Sequence, residues 1–363
     1  MYTLSLLISA IYLCYVVFII SGLFRHKKLI IKSQTNSPSV SVVIAARNEE
    51  LNLPYIIQDL VAQEYPIDKL EVIFVDDRST DSTNQILKKS CDDYDFIKYV
   101  HIENLNEDMT PKKNALSKGI EIASGEIIIS TDADCRVGKF WVSSMAYSVK
   151  NKDCITIGYS EIDENQKSIF ELYQKLDFFG IIIANAGAAG WNHYWSGTGQ
   201  NLAYFKKDYL AIDGFEKVKD KISGDDMHLV QSISKIKKGY IHIDPNSFTK
   251  TRGLNSIKDF INQRIRWSSN AKSNLKGSPL FFGFLFTSFS MNVIILLTIF
   301  LDNPLIYIYL LKFISDGIII YLGSKLFERK IHPLIYCLWA IIQPVYIPII
   351  GLLGIKEKFI WKP

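Results

Sequence analysis

The sequence predicts an α/β domain with a mostly parallel sheet, flanked by transmembrane helices. Two patterns predict it. Between residues 38 and 130, short apolar runs alternate with segments of helical period, as in repeated strand and helix units. Outside that region, stretches of about 20 residues are apolar enough to cross a bilayer as helices.

The first element is the apolar stretch from Tyr2 to Phe24, followed at once by Arg25-His26-Lys27-Lys28. Positive charge beside a span stays on the cytosolic side, and the basic start and small residues of a cleaved signal peptide are both missing. Residues 1–24 are therefore read as a retained anchor, and 25–37 as a basic cytosolic linker. After Pro279 come three more apolar stretches, 280–301, 304–323 and 333–354, the first two joined by Asp302-Asn303-Pro304 as a tight hairpin. The second leads into a basic loop with Lys325, Arg329 and Lys330. Both basic clusters then agree on one topology: a multi-pass protein of the cell membrane, with the chain between Arg25 and Pro279 in the cytosol. Pro344 and Pro348 leave a kinked or re-entrant segment open beside a full crossing for 333–354, which is followed by a tail, 356–363, with Lys356, Lys358 and Lys362. Lys312 and Asp316 share one helix face and are expected to pair with each other.

Within the cytosolic region the expected strands are Val40–Ala45, Leu70–Val75, Tyr99–Ile102 and Glu126–Ser130. The expected helices are Asn52–Glu64, Ser82–Ser90 and Lys113–Ala123. A parallel sheet binds ligands at the carboxyl ends of its strands. Three polar clusters sit at those ends: Ala45-Ala46-Arg47-Asn48-Glu49-Glu50, Asp76-Asp77-Arg78-Ser79-Thr80-Asp81 and Asp132-Ala133-Asp134. Each has a plainer explanation beside the functional one. Asp76 and Ser79 suit the cap of the next helix, and Asp132-Ala133-Asp134 alone suits a solvated turn. Together they converge on one crevice.

Composition narrows the chemistry. Lys+Arg 41 against Asp+Glu 37 is too mild an excess for a nucleic-acid binder. The five cysteines show no CxxC spacing and the six histidines no HExxH, so a metal has to be held by carboxylates. Neither GxGxxG nor GxxxxGK[ST] occurs, so a bound diphosphate needs positive charge from elsewhere, which a divalent cation supplies.

The segments "VSVVIAARNEE", "VIFVDDRSTDST", "PKKNALSKGIEIASGEIIISTDADC", "SGDDMHL" and "QRIRW" follow the order and approximate spacing of the family 2 glycosyltransferases, which this chain resembles from about Pro38 to Ser269. The likeness is to the membrane-embedded branch that includes cellulose and hyaluronan synthases and ceramide glucosyltransferases. It implies a GT-A fold over 38–250, a Rossmann-like domain that uses a nucleotide-diphosphate sugar, a UDP-sugar by default, with Mg²⁺ or Mn²⁺, and transfers the sugar with inversion. By matching position, Ala46, Arg47, Glu49 and Asp77 hold the base and ribose. Lys112 stands at the family's Gly-Lys position, with Pro111 in place of glycine. Asp132 contacts the donor and Asp134 holds the metal, which stabilises the departing diphosphate.

Asp226 matches the catalytic base, with Asp225 where glutamate is usual. An acceptor hydroxyl needs such a base, because it is a poor nucleophile until its proton is taken. The plainer alternative is that Asp225 and Asp226 cap a helix beginning at Met227. His228, two residues further along, is read as structural. Gln263, Arg266 and Trp267 match QxxRW and share one helix face, at the acceptor or diphosphate. They sit in an amphipathic interfacial segment, 251–279, whose Ile257, Phe260, Ile261, Ile265 and Trp267 also suit the bilayer surface. Near the acceptor the resemblance places Ser196-Gly197-Thr198-Gly199-Gln200-Asn201. Trp191, Tyr194 and Trp195 suit either a stacking wall or core packing.

The leading reading is transfer of a sugar to a lipid or lipid-linked hydroxyl at the cytosolic membrane face. A processive polysaccharide synthase is the alternative, for which three or four spans make a thin channel wall. A membrane-anchored nucleotide-sugar-binding protein without catalysis is the reading from another class, and it predicts loss of Asp132, Asp134 or Asp226. All three are present.

Overall fold

The computed structural model describes residues 2–29, 37–163, 168–300 and 306–356. The expected hairpin at Asp302-Asn303-Pro304, and Lys358 and Lys362, lie outside them. The chain forms two compact units. One is Lys27–Asp163 with Ser196–Arg252, and the other is Met1–His26 with Glu164–Trp195 and Gly253–Pro363.

The first unit is built on strands β1 (Val40–Ala46), β2 (Leu70–Asp77), β3 (Ile97–Ile102), β4 (Ile127–Ser130), β5 (Arg136–Val137), β6 (Ile155–Gly158), β7 (Ser160–Ile162), β8 (Leu202–Phe205), β9 (Gly239–His242) and β10 (Thr249–Thr251). Seven make one sheet in the order β3-β2-β1-β4-β8-β6-β9, and β5-β10-β7 make a second, small one. In the large sheet β1 pairs parallel with β2 and β4, β2 with β3, and β6 with β9, while β8 runs antiparallel to β4 and β6. β2 is buried along its whole length, which explains its unbroken apolar centre Val72-Ile73-Phe74-Val75.

The expected helices appear as Leu53–Val61, Thr83–Asp93 and Pro111–Ile122. The first ends early because the Glu64 N–H leaves the helix to donate to the Lys139 carbonyl at 2.7 Å. The third begins at Pro111, whose fixed φ and missing N–H suit a first helical position.

The second unit is helical: Tyr2–Leu23, Ile169–Ala189, Ile257–Ser269, Ala271–Gly277, Pro279–Phe300, Ile306–Leu326 and Pro333–Ile355. Among the described residues, four helices are long and apolar enough to cross a membrane, over Thr3–Leu23, Pro279–Thr298, Ile306–Leu326 and Pro333–Ile355. The last is one continuous helix with Pro344 and Pro348 inside it. Lys312 pairs with Asp316 as expected, and Tyr12 and Gln343 complete the cluster.

The helix Ile169–Ala189 falls inside the 38–250 stretch read as one domain, yet it belongs to the helical unit. Its glycines explain this. A Cβ on Gly187 would stand 2.6 Å from Ile19, and one on Gly22 would stand 1.8 Å from the Gly187 carbonyl oxygen. Two backbones meet there, which only glycine permits.

The amphipathic segment also differs from expectation. Phe260, read as also suiting the bilayer surface, is buried against protein, its ring stacked 5.9 Å from Tyr346. Trp267 packs 5.7 Å from Phe178, while Ile257 remains exposed.

Candidate active site

The loops after β1 and β2 are laced together by side chains that substitute for backbone partners. Asn48 N–H donates to Ser79 Oγ at 2.9 Å, and Asn48 Oδ1 accepts from Thr80 N–H at 2.8 Å. Glu49 N–H donates to Thr83 Oγ1 and Glu50 N–H to Asp81, while Glu50 Oε2 accepts from Ser82 N–H. Asn48 and Arg78 both take positive φ to allow it, 52° and 57°. Asp76 is fully buried and accepts from Ser79 N–H and from His101 Nδ1 at 2.9 Å. Its expected cap on the next helix is therefore absent, since that helix starts at Thr83 after Ser82.

Of the residues assigned to the nucleotide, Ala46 ends β1 and is buried. Glu49 is buried too, with Oε2 accepting from Asn52 at 2.6 Å. Asp77 receives two bonds from the Arg78 guanidinium, at 2.8 and 3.1 Å, and Arg47 Nη1 lies 3.9 Å away. Arg47 Nε is buried and has no hydrogen-bond partner among the described residues.

A pocket opens beside the carboxyl end of β4. Its polar lining is Lys112, Ser130, Thr131, Asp132, Gly199, Asp225 and Asp226, and Leu116, Leu202, Tyr204, Phe215 and Leu229 are among its apolar walls. Asp132 and Asp134 sit on the turn after β4, closed by the Cys135 N–H donating to the Asp132 carbonyl at 3.1 Å. Lys112, in the first turn of its helix, reaches Asp132 Oδ1 at 2.8 Å and Asp225 Oδ2 at 3.7 Å. Burial works against its charge, but those two carboxylates outweigh it and raise its pKa.

Gly224, with φ +78°, turns the chain so that the helix Asp225–Ile233 begins at Asp225. The cap reading, with a helix from Met227, is corrected accordingly: both aspartates lie in the first turn. Asp226 Oδ1 accepts from Met227 N–H at 2.7 Å and Oδ2 from Gly199 N–H at 3.1 Å. Burial, then the neighbouring charge of Asp225, pushes its pKa up to about 6 against the pull of Lys112 and the two N–H groups. His228 is driven down to about 4 by burial and by Lys113, so it stays neutral near pH 7.

The oxygen donors of Asp132 and Asp134 fit a hard divalent cation, and the ammonium of Lys112 already lies between Asp132 and Asp225. Among the described residues no group of three or more His, Cys, Asp or Glu side chains converges as a ready metal cage.

In the helical unit, Gln263 Oε1 accepts from Arg264 Nη1, and the Arg264 guanidinium lies 4.2 Å over the Trp267 ring. Trp195 is buried, with its ring 5.0 Å from Phe281 and 5.1 Å from Phe284, so for it the core-packing reading holds. Sequence reasoning missed the Lys112–Asp225 contact, the Gly199 N–H and Arg264. Arg264 carried no signal because it occupies a variable position of QxxRW.

The family described as Glycosyl transferase family 2 matches residues 41–211. The probable glycosyltransferase YdaM of Bacillus subtilis (strain 168) is 28% identical over 279 residues, covering 74% of this chain and 65% of that protein. A beta-monoglucosyldiacylglycerol synthase of Nostoc sp. (strain PCC 7120) is 36% identical over 104 residues, 29% of this chain and 22% of that protein. The chain thus spans less than two thirds of both relatives. Among solved structures, the mannosyltransferase PcManGT from Pyrobaculum calidifontis, in complex with GDP-Man and Mn2+, superposes with a TM-score of 0.56 at 18% identity. The match covers 97% of this chain and 99% of that one and shows a shared fold.

Proposed function

Because the chain belongs to glycosyltransferase family 2 and carries the GT-A fold, we propose that it moves a sugar from a nucleotide-diphosphate sugar to a hydroxyl of a lipid or lipid-linked acceptor at the cytosolic membrane face, with inversion. The observation that carries this reading is Asp226, a carboxylate with a raised pKa in a partly apolar pocket, in a chain with four helices long and apolar enough to span a membrane. The names of two similar proteins support it. One makes monoglucosyldiacylglycerol, and the other binds GDP-Man and Mn2+.

In this mechanism Ala46, Arg47, Glu49 and Asp77 bind and orient the nucleotide, Arg47 using the Nε that has no hydrogen-bond partner among the described residues. Lys112 and Asp132 bind the diphosphate and sugar side of the donor. Asp134 would hold Mg²⁺ or Mn²⁺, which supplies charge stabilisation to the leaving diphosphate when bound. The acceptor oxygen forms a bond to the anomeric carbon on the face opposite the diphosphate, the anomeric bond to the diphosphate breaks, and the hydroxyl proton passes to Asp226. One displacement inverts the anomeric centre. Gln263, Arg266 and Trp267 contact acceptor and diphosphate: an amide and a guanidinium suit phosphate oxygens, and an indole suits a sugar face.

The basic clusters around Arg25 and Arg329 support a cytosolic orientation by the positive-inside rule. The test is to incubate membranes containing the protein with a panel of labelled nucleotide sugars and Mg²⁺ or Mn²⁺. Label in the lipid extract supports the reading, label in a polymer replaces it with a processive synthase, and transfer that survives Asp226→Asn overturns the assigned base.

A further inference from the structure

We infer that Asp177 and Arg264 form a pin that aims Gln263 and Trp267, and that the last apolar helix, Pro333–Ile355, is part of it. The inference rests on the reading of Gln263 and Trp267 as acceptor and diphosphate contacts.

Arg264 and Phe260 are the buried residues of the helix Ile257–Ser269. Arg264 Nε donates to Asp177 Oδ2 at 2.7 Å, and Nη1 donates to Gln263 Oε1. The carbon of the same guanidinium lies 4.2 Å over the Trp267 ring and 4.5 Å over the Phe260 ring. One rigid, planar group therefore sets both the direction of the Gln263 amide and the pitch of the Trp267 indole.

Asp177 is fixed in turn. Its Oδ1 accepts from Trp339 Nε1 at 3.2 Å and its Oδ2 from Tyr346 OH at 3.4 Å. Trp339, Gln343 and Tyr346 lie four and three residues apart, on one face of the last apolar helix. Gln343 on that face accepts from Lys312 Nζ at 3.0 Å. The stripe thus links the intramembrane ion pair Lys312–Asp316 to the helix that carries QxxRW.

A buried ion pair is a poor choice where only adhesion is needed, because apolar side chains of similar volume join helices as well or better. What Arg264 and Asp177 add is direction: a forked donor set and a flat face admit one arrangement of their neighbours. Both act through Gln263 and Trp267, and so are positioning residues.

The test uses the full-length protein in vesicles of diacylglycerol and phosphatidylglycerol, with the labelled nucleotide sugar that the wild type uses. Two products are counted: sugar on lipid, and free sugar from hydrolysis of the donor. Asp177→Asn and Arg264→Lys are expected to cut lipid transfer about tenfold or more and hydrolysis by clearly less, because Gln263 serves the diphosphate in both reactions while Trp267 orients the acceptor in transfer alone. Asp177→Glu is expected to recover part of the transfer. Since these variants touch a buried charge, Tyr346→Phe, which keeps the ring and drops its bond to Asp177, is expected to shift the ratio in the same direction by less. Equal loss of transfer and hydrolysis, or an unchanged ratio in folded variants, overturns the inference alone. A wild type that transfers no sugar to lipid overturns the reading of the site and this inference with it.

Discussion

Glu71 and Asp226 are carboxylates at opposite ends of one sheet, and the protein treats them in opposite ways. Glu71 stands at the amino end of β2 and accepts from Ser41, Lys98, both donors of Ser124 and the Gly125 N–H. Burial alone would raise its pKa, but those donors hold it down to about 2. Asp226, beyond the carboxyl end of β4, has two N–H donors and the charge of Asp225 beside it, and it is raised to about 6. Saturated with donors, a buried carboxylate is a permanent charge that ties strands together. Left short of them, it becomes a base able to take a proton near neutral pH.

The largest effect expected from breaking this contrast is on catalysis. Asp226→Asn should lower sugar transfer by roughly 10²- to 10⁴-fold, the usual worth of a general base, as read by label incorporation at saturating donor. The same variant should raise the melting temperature. A carboxylate whose folded pKa lies above its unfolded value costs stability once pH exceeds the unfolded value, and the amide removes that cost. A variant less stable than the wild type would break the comparison.

Glu71→Gln should do the reverse, costing about 2 kcal/mol, the loss expected when a buried charge leaves several donors unsatisfied, with transfer by the folded protein unchanged. Chemical denaturation in detergent, beside the transfer assay, checks both halves. Glu71 has a depressed pKa, so its stabilisation is present above the unfolded value of about 4.3 and is lost as pH falls toward about 2. The wild type should therefore lose stability across that acid window more steeply than Glu71→Gln.

The pH profile sharpens the other side. Transfer should fall as pH drops through about 6, as Asp226 takes up its proton. A profile flat to pH 4.5 would show that the base lies elsewhere. The smallest effect is expected of Gly224→Ala, which forces a Cβ into a φ of +78°. It should cost about 1 kcal/mol and move Asp225 and Asp226 together, seen as a modest drop in both melting temperature and transfer.

How much was legible follows from burial. Strands β1, β2 and β4 are buried on both faces and read as mostly apolar runs, so their ends and the polar clusters there were visible. β6, β8 and β9 were not, since Ile155-Thr156-Ile157-Gly158 and Gly239-Tyr240-Ile241-His242 are too short and mixed to show a period. Asp132, Asp134 and Asp226 stood out by motif. Glu71 did not, because a lone acid in a strand carries no pattern, and its five donors come from three separate segments.

The sequence by itself determined the strand and helix alternation, the four apolar helices and the residue types of the site, because these depend on local period and composition. Only the tertiary structure decided which carboxylate is satisfied and which is not. It also drew the helix Ile169–Ala189 away from the sheet unit and into the helical one, and set Arg264 against Asp177. A side chain's charge is written in the chain, but the donors and desolvation that fix its pKa arrive from residues tens to hundreds of positions away.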